Sequence, residues 1–465
     1  MVFSSLTFLF YFLPGALLLY FLAPARWKNF TLFLSSLIFY GWGEPRSLWI
    51  LLLSLFIGYQ TGLLIDKNRG TKKSFYWLIL SVTFSLGVLG LFKYADFILA
   101  SLSNLTNLPI KPLNLKLPIG ISFYTFQMMS YTIDVHRGSV KVQRSFVDLA
   151  AYITMFPQLI AGPIVRYADI EPQLKVRDHQ LANISQGLRR FLLGLGKKVL
   201  LANTLGVLAQ TARSSQDSSV LFLWLYAVSF SLQLYFDFSG YSDMAIGLGG
   251  ILGFQFMENF NYPFIAKSIT DFWRRWHISL GSWFRDYVYI PLGGSRTTSI
   301  LWIRNLLIVW GLTGLWHGAA WTFVLWGLYF ALLLLIEKIW LKNWLELSKA
   351  LRHIYVLFLV MISFILFDSA DLSLALIRIG GLFGANGLPL VSVTALYQLK
   401  SNALLLLIAA IGATPWPKQC YQRLANSRFQ KVLSLSETPI LFGLALSVTA
   451  FLVDGSFNPF LYFRF

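Results

Sequence analysis

Cysteine is almost missing from this chain of 465 residues: the one present, Cys420, rules out an intrachain disulfide and any thiolate cage around a metal. Charge is scarce too. Only 12% of residues are charged while 56% are hydrophobic, which leaves too little polar surface to coat the roughly three soluble domains that a prior of about 150 residues each would suggest. A mean hydropathy of +0.63 excludes intrinsic disorder. Histidine is limited to His136, His179, His277, His317 and His353, with no pair at ligand spacing and no helix-matched carboxylate, so no metal site is expected. Gly-x-Ser-x-Gly, P-loop and dinucleotide fingerprints are absent as well.

What the chain has in abundance is uncharged apolar sequence. Runs recur at 3–22, 30–43, 48–65, 75–92, 118–133, 146–165, 218–255, 300–336, 353–367, 402–414 and 438–453. A stretch of about 20 such residues matches a hydrocarbon core of about 30 Å when wound as helix. Lipid leaves open backbone groups unsatisfied, so helix is expected throughout, with about eleven spans. No polar segment of domain size interrupts them, which predicts one membrane domain over residues 1–465 and chemistry within or at the membrane. The amino terminus lacks a basic region ahead of its apolar run, so the first run is read as a retained span rather than a signal peptide.

Basic residues outnumber acidic ones, 38 to 20, for a net charge of +18. Clusters at Arg26/Lys28, Lys67–Lys73, Lys197/Lys198 and Lys418–Lys431 read as short cytoplasmic loops obeying the positive-inside rule, not as a nucleic-acid surface. Alternation through the first three runs then puts the N-terminus outside. Residues 102–118, rich in Asn and Pro, read as an external loop leading into a helix. Residues 256–299 interleave aromatics with Asp271, Arg274, Arg275, Arg285, Asp286 and Arg296; the segment is either a helix on the headgroups or a re-entrant element buried in protein.

Between Arg304 and Glu337 lie 32 residues in which His317 alone titrates near neutral pH, within Gly314-Leu315-Trp316-His317-Gly318. An ionisable group deep in an apolar run is costly, which makes His317 the leading candidate for a functional site, and a neutral imidazole there is a competent base. The glycines around it either admit another helix or leave room for a ligand. His277, in Trp273-Arg274-Arg275-Trp276-His277-Ile278-Ser279, is structural if alone and a partner if it shares a cavity wall with His317. Arg274, Arg275 and Arg285 suit phosphate groups of a cofactor or lipid, or else anchor in headgroups. Asp237 and Asp243, about 120° apart on a regular helix, are expected to pair with arginines of the 274–285 element, with a proton or cation path as the other reading.

These residues resemble the membrane-bound O-acyltransferase (MBOAT) family and, within it, the bacterial alginate O-acetyltransferase (AlgI-like) branch. The similarity is carried by Pro118-Ile119-Gly120-Ile121-Ser122-Phe123-Tyr124, Phe156-Pro157-Gln158-Leu159-Ile160-Ala161-Gly162-Pro163, Tyr235-Phe236-Asp237-Phe238-Ser239-Gly240-Tyr241-Ser242-Asp243, Glu258-Asn259-Phe260-Asn261-Tyr262-Pro263, the Trp273–Leu280 and Trp316–Trp321 runs, and a closing Asn458-Pro459-Phe460-Leu461-Tyr462-Phe463. The resemblance implies an all-α polytopic protein with re-entrant or interfacial helices around a central tunnel, His317 as catalytic histidine and His277 as a second motif histidine. It further implies acetyl-CoA as donor, with Arg274, Arg275, Arg285 and Trp276 as candidate contacts to it and no tightly bound cofactor. A multi-pass protein of the bacterial inner membrane would pass acetyl groups to a periplasmic acetyltransferase partner that modifies an exopolysaccharide, alginate being favoured. Relatives acting on peptidoglycan, cellulose or teichoic acid share the same motifs. One departure stands out: Phe367-Asp368-Ser369-Ala370 occupies a place where relatives tend to carry Phe-Arg-Ala.

Overall fold

A computed structural model describes residues 2–215, 217–341, 348–455 and 460. Of the closing motif at 458–463, only Phe460 falls within them. Every regular element among the described residues is helical. Nine of these helices are long and apolar enough to cross a membrane, and two shorter apolar helices, Phe8–Leu22 and Leu372–Gly381, accompany them.

The longest runs are open to two helices or a single one, and each outcome occurs; other runs depart from expectation. The 300–336 run is two helices, Ser299–His317 and Trp321–Ile336, joined by a tight turn. The 218–255 run is a single helix, Val220–Ile251. The 146–165 run is no span: it breaks into Phe146–Thr154 and Phe156–Leu159 around Met155 and Pro157. Conversely, Leu181–Ser214 forms one long apolar helix that the sequence concealed. Arg189, Arg190, Lys197 and Lys198 interrupt its hydropathy, so Lys197 and Lys198 looked like a loop. They lie inside the helix, at a π-helical turn, Lys197–Ala202, and Lys198 is buried.

The chain divides into two compact units, Met1–Phe191 with Ser242–Met257, and Leu192–Tyr241 with Glu258–Phe465. In the first, Ile121–Arg137 is buried on nearly every face, packed on Leu48–Lys67 and Lys72–Leu89. Near the end of the first apolar helix, Tyr20 donates to the Leu252 carbonyl (2.7 Å) and accepts from Arg177 (2.8 Å). Beside this lies an open cavity of about 450 Å³ whose walls include Asp178, Asn183, Arg190 and Gln255.

The second unit is built on the hairpin of Ser299–His317 and Trp321–Ile336. Two of its glycines are there for contact. A methyl group on Gly314 would meet the Phe323 carbonyl oxygen at 2.2 Å, and one on Gly327 would meet that of Trp310 at 2.1 Å. The helices therefore touch through their backbones, as small residues allow in apolar surroundings. Gly318 is likewise filled by the Phe323 ring, 2.1 Å from where a side chain would begin. Of the two readings open for these glycines, helix approach holds for Gly314.

Candidate functional site

The 256–299 segment is not one amphipathic helix. Ile269–Trp273 and Ile278–Phe284 are short helices separated by a break, with Ile269, Phe272, Trp276, Leu280, Trp283 and Phe284 all buried. Non-helical backbone is tolerated at membrane depth only when protein covers it, and here backbone groups of the segment are bonded within the protein. Ser268 caps the first helix through the Asp271 N–H (2.9 Å). The Glu337 carboxylate, reaching in from beyond the hairpin's second helix, accepts from the backbone of Thr270 (3.1 Å) and from its hydroxyl (3.2 Å). The Asn261 N–H donates to the Arg275 carbonyl (2.9 Å) across the break.

His277 sits at this break with φ 46°, ψ 53°, a left-handed conformation costly for a non-glycine residue and held by its surroundings. Asn259 supplies much of that hold. Its carbonyl accepts from Ile278 N (3.0 Å), while its side-chain oxygen lies 3.1 Å from His277 Nδ1 and accepts from the backbone and hydroxyl of Ser279 (3.2 and 2.9 Å). The imidazole is 1% exposed and packs edge-on to Phe238 and Trp316, with ring centres 4.7 and 5.7 Å away. Burial is the one cause acting on its pKa, which is pushed down to about 3, so the ring is neutral at physiological pH.

His317 is the last residue of Ser299–His317 and is 6% exposed. Aromatic rings pack on it edge-to-face, among them Trp326 at 4.9 Å, Trp316 at 5.1 Å and Phe367 at 5.5 Å. The ring thus faces protein rather than lipid. Trp316 touches both imidazoles, so the structure brings His277 and His317 to one aromatic wall. The indole N–H of Trp326 is buried and has no acceptor among the described residues.

The other expected residues scatter. Trp276 belongs to an aromatic cluster with Phe260, Phe272 and Phe364, stacked on Phe272 at 5.6 Å and 18°. Arg275 is held by Asp271 (2.8 Å) and the Asn261 carbonyl, and Arg285 by Asp286 (2.6 Å); Arg274 is exposed. The expectation that Asp237 and Asp243 pair with these arginines is overturned. Asp237 pairs with Lys198 and Asp243 with Arg190 (2.9 Å), both from Leu181–Ser214, because the unbroken helix Val220–Ile251 turns the two carboxylates to different places along that partner. His136, His179 and His353 bond to Ser74, Tyr20 and the Ala266 carbonyl, not to His277 or His317. No cluster of three metal-ligating side chains occurs among the described residues. Asp368 receives two bonds from Arg213 (2.9 and 2.7 Å) and one from Tyr226 (2.6 Å).

Sequence reasoning missed Asn259, Trp326, Phe367 and Glu337 as parts of this site. Glu337 carried a signal, as the acidic boundary of the long uncharged window. The aromatic residues carried none in a chain where aromatics form 17% of the whole.

Comparison with known proteins bears on the family of the chain. Residues 37–374 match the model of MBOAT, the membrane-bound O-acyltransferase family. The chain is similar over its full length, at 40% identity, to a protein of Azotobacter vinelandii named probable alginate O-acetylase AlgI, all of which is covered. A Helicobacter pylori peptidoglycan O-acetyltransferase is 35% identical over 84% of this chain and 81% of its own. A Bacillus subtilis teichoic acid D-alanyltransferase is 34% identical over 48% of this chain and 59% of its own. With nine membrane-length helices and a match over most of its length, the chain is a multi-pass membrane enzyme that belongs to the membrane-bound O-acyltransferase family.

Proposed function

We propose that this enzyme transfers acetyl groups from cytoplasmic acetyl-CoA across the membrane for O-acetylation of an exopolysaccharide, with His317 as general base. The observation that carries this reading is His317 itself, a titratable ring at a helix terminus, buried among Trp316, Trp326 and Phe367 and sharing Trp316 with His277. In the reaction His317 takes the proton of an acceptor hydroxyl as its oxygen attacks the thioester carbonyl. The tetrahedral oxyanion then collapses, the carbon–sulfur bond breaks, and the proton passes from the imidazolium to the departing coenzyme A thiolate. The indole N–H of Trp326 supports this reading as a donor to the oxyanion, since an acceptor arriving there would satisfy a buried polar group.

The alginate-type acceptor is favoured by 40% identity to the Azotobacter protein over the whole chain, with peptidoglycan as the second choice on the Helicobacter similarity. A periplasmic acetyltransferase is the proposed partner, and the bacterial inner membrane the proposed location. Arg274 is the arginine of the three offered to the donor phosphates, since Arg275 and Arg285 are engaged by carboxylates.

The test is transfer from [acetyl-¹⁴C]-CoA by the full chain in nanodiscs. His317→Gln is expected to abolish transfer while leaving yield and gel-filtration profile unchanged. Transfer at the wild-type rate by this variant would overturn the assignment of the base. Uptake of glycan without consumption of acetyl-CoA would overturn the enzymatic reading in favour of transport.

A further inference from the structure

We infer that Asn259 is a positioning residue that holds His277 in the Nδ1–H tautomer, so that its Nε2 can only accept a hydrogen bond. In the acyl-transfer reading proposed above, His277 then orients the acceptor hydroxyl and takes no part in holding the oxyanion.

The inference follows from counting protons around one oxygen. The Ser279 N–H points at the Asn259 side chain from 3.2 Å and can only donate, which identifies the facing atom as the amide oxygen. The Ser279 hydroxyl, 2.9 Å from that oxygen and 3.4 Å from His277 Nδ1, spends its single proton on the nearer acceptor. Nδ1 lies 3.1 Å from the same oxygen. Were Nδ1 unprotonated, two lone pairs would face each other inside a buried site, so the proton is on Nδ1 and the lone pair on Nε2. Burial keeps the ring from holding both protons, and Asn259, Ser279, Phe238 and Trp316, which pack on it, are all uncharged.

The backbone is built to the same end. Asn259 is itself fully buried, its carbonyl grips Ile278 N, and between these anchors His277 is kept in its left-handed conformation. One residue thus sets the position, the backbone angle and the tautomer of the ring.

The experiment combines a resting-state measurement with kinetics. Full-length protein in nanodiscs, labelled with ¹⁵N-histidine, is examined by solid-state NMR, and the His277 resonances are identified by their loss in His277→Gln. The wild type is expected to show a protonated Nδ1 and a bare Nε2. Asn259→Asp keeps an oxygen in place, and its negative charge is expected to move the acid limb of kcat upward by about 1–3 pH units. Asn259→Ala is expected to lower kcat by about 10- to 100-fold with the KM for acetyl-CoA unchanged, a loss of orientation rather than of donor binding. A bare Nδ1 in the wild type would overturn the inference, as would an unmoved acid limb in Asn259→Asp. Because the NMR readout uses no substrate, it stands or falls apart from the acyl-transfer reading, which the His317→Gln assay tests.

Discussion

The buried pair of Lys198 and Asp237 makes a quantitative prediction. The two residues are 2% and 3% exposed, and the Lys198 ammonium also lies 4.6 Å above the Phe460 ring. In such a place the attraction between the two charges offsets much of the cost of burying them. Removing one partner, in Lys198→Met or Asp237→Asn, is expected to cost about 3–5 kcal/mol, since the survivor stays buried and loses the attraction of this counter-charge. Replacing both, in Lys198→Met with Asp237→Leu, removes the desolvation penalty along with the attraction. That variant is expected to lie near the wild type or to exceed it by about 1–4 kcal/mol, so the two single effects are strongly non-additive. The assay is equilibrium unfolding of the full chain in mixed micelles, followed by tryptophan emission, with acetyl transfer measured per unit of folded protein. A single variant as stable as wild type would refute the reasoning, and so would a double variant whose loss equals the sum of the singles. The same cycle weighs Asp237 as a proton carrier: a folded double variant that still transfers acetyl groups removes that role.

Glycine spacing in the hairpin offers a contrast between its two helices. Gly327→Ala, whose new methyl would lie 2.1 Å from the Trp310 carbonyl oxygen, is expected to lower stability by about 1–3 kcal/mol, whereas Gly311→Ala, with nothing within 4 Å, should be neutral or slightly stabilising in a heat-challenge assay. Asp368→Asn removes the charge that binds Arg213 twice, and a loss of about 1–3 kcal/mol is expected with acetyl transfer by the folded fraction retained, since Asp368 turns toward Arg213 and Tyr226. The low pKa of His277 sets a sign for pH dependence: the unfolded chain takes up a proton below the ordinary value of 6.5 while the folded chain resists until about pH 3, so stability falls as pH drops through that window. Chemical unfolding between pH 7 and pH 4 should show this slope, reduced in His277→Gln.

Much of the architecture was legible beforehand, for identifiable reasons. Runs such as 48–65 and 353–367 are apolar on all sides, and their helices, Pro45–Lys67 and Lys349–Asp368, follow from length alone. His317 announced itself because a single titratable ring in 32 uncharged residues needs an explanation. Failures came where a local signal was cancelled by a distant partner. Lys197 and Lys198 resembled a cytoplasmic loop because hydropathy treats each ammonium as exposed; Asp237, 39 positions away along the chain, makes Lys198 admissible within a helix. The 146–165 run erred the other way, since its apolar residues are buried in protein as two short helices and need no bilayer to cover them.

By itself, then, the amino-acid order determined that this chain lives in lipid, that it does so as helices, and that an imidazole at position 317 is anomalous there, because each of these depends on quantities that add up residue by residue along the chain. Tertiary structure alone decided which cation meets each aspartate, that Trp326 and Phe367 wall in His317, and that Asn259 sets the tautomer of a ring 18 positions further on. Those are directional contacts over a few ångströms between segments remote in sequence, and no sum of local preferences contains them.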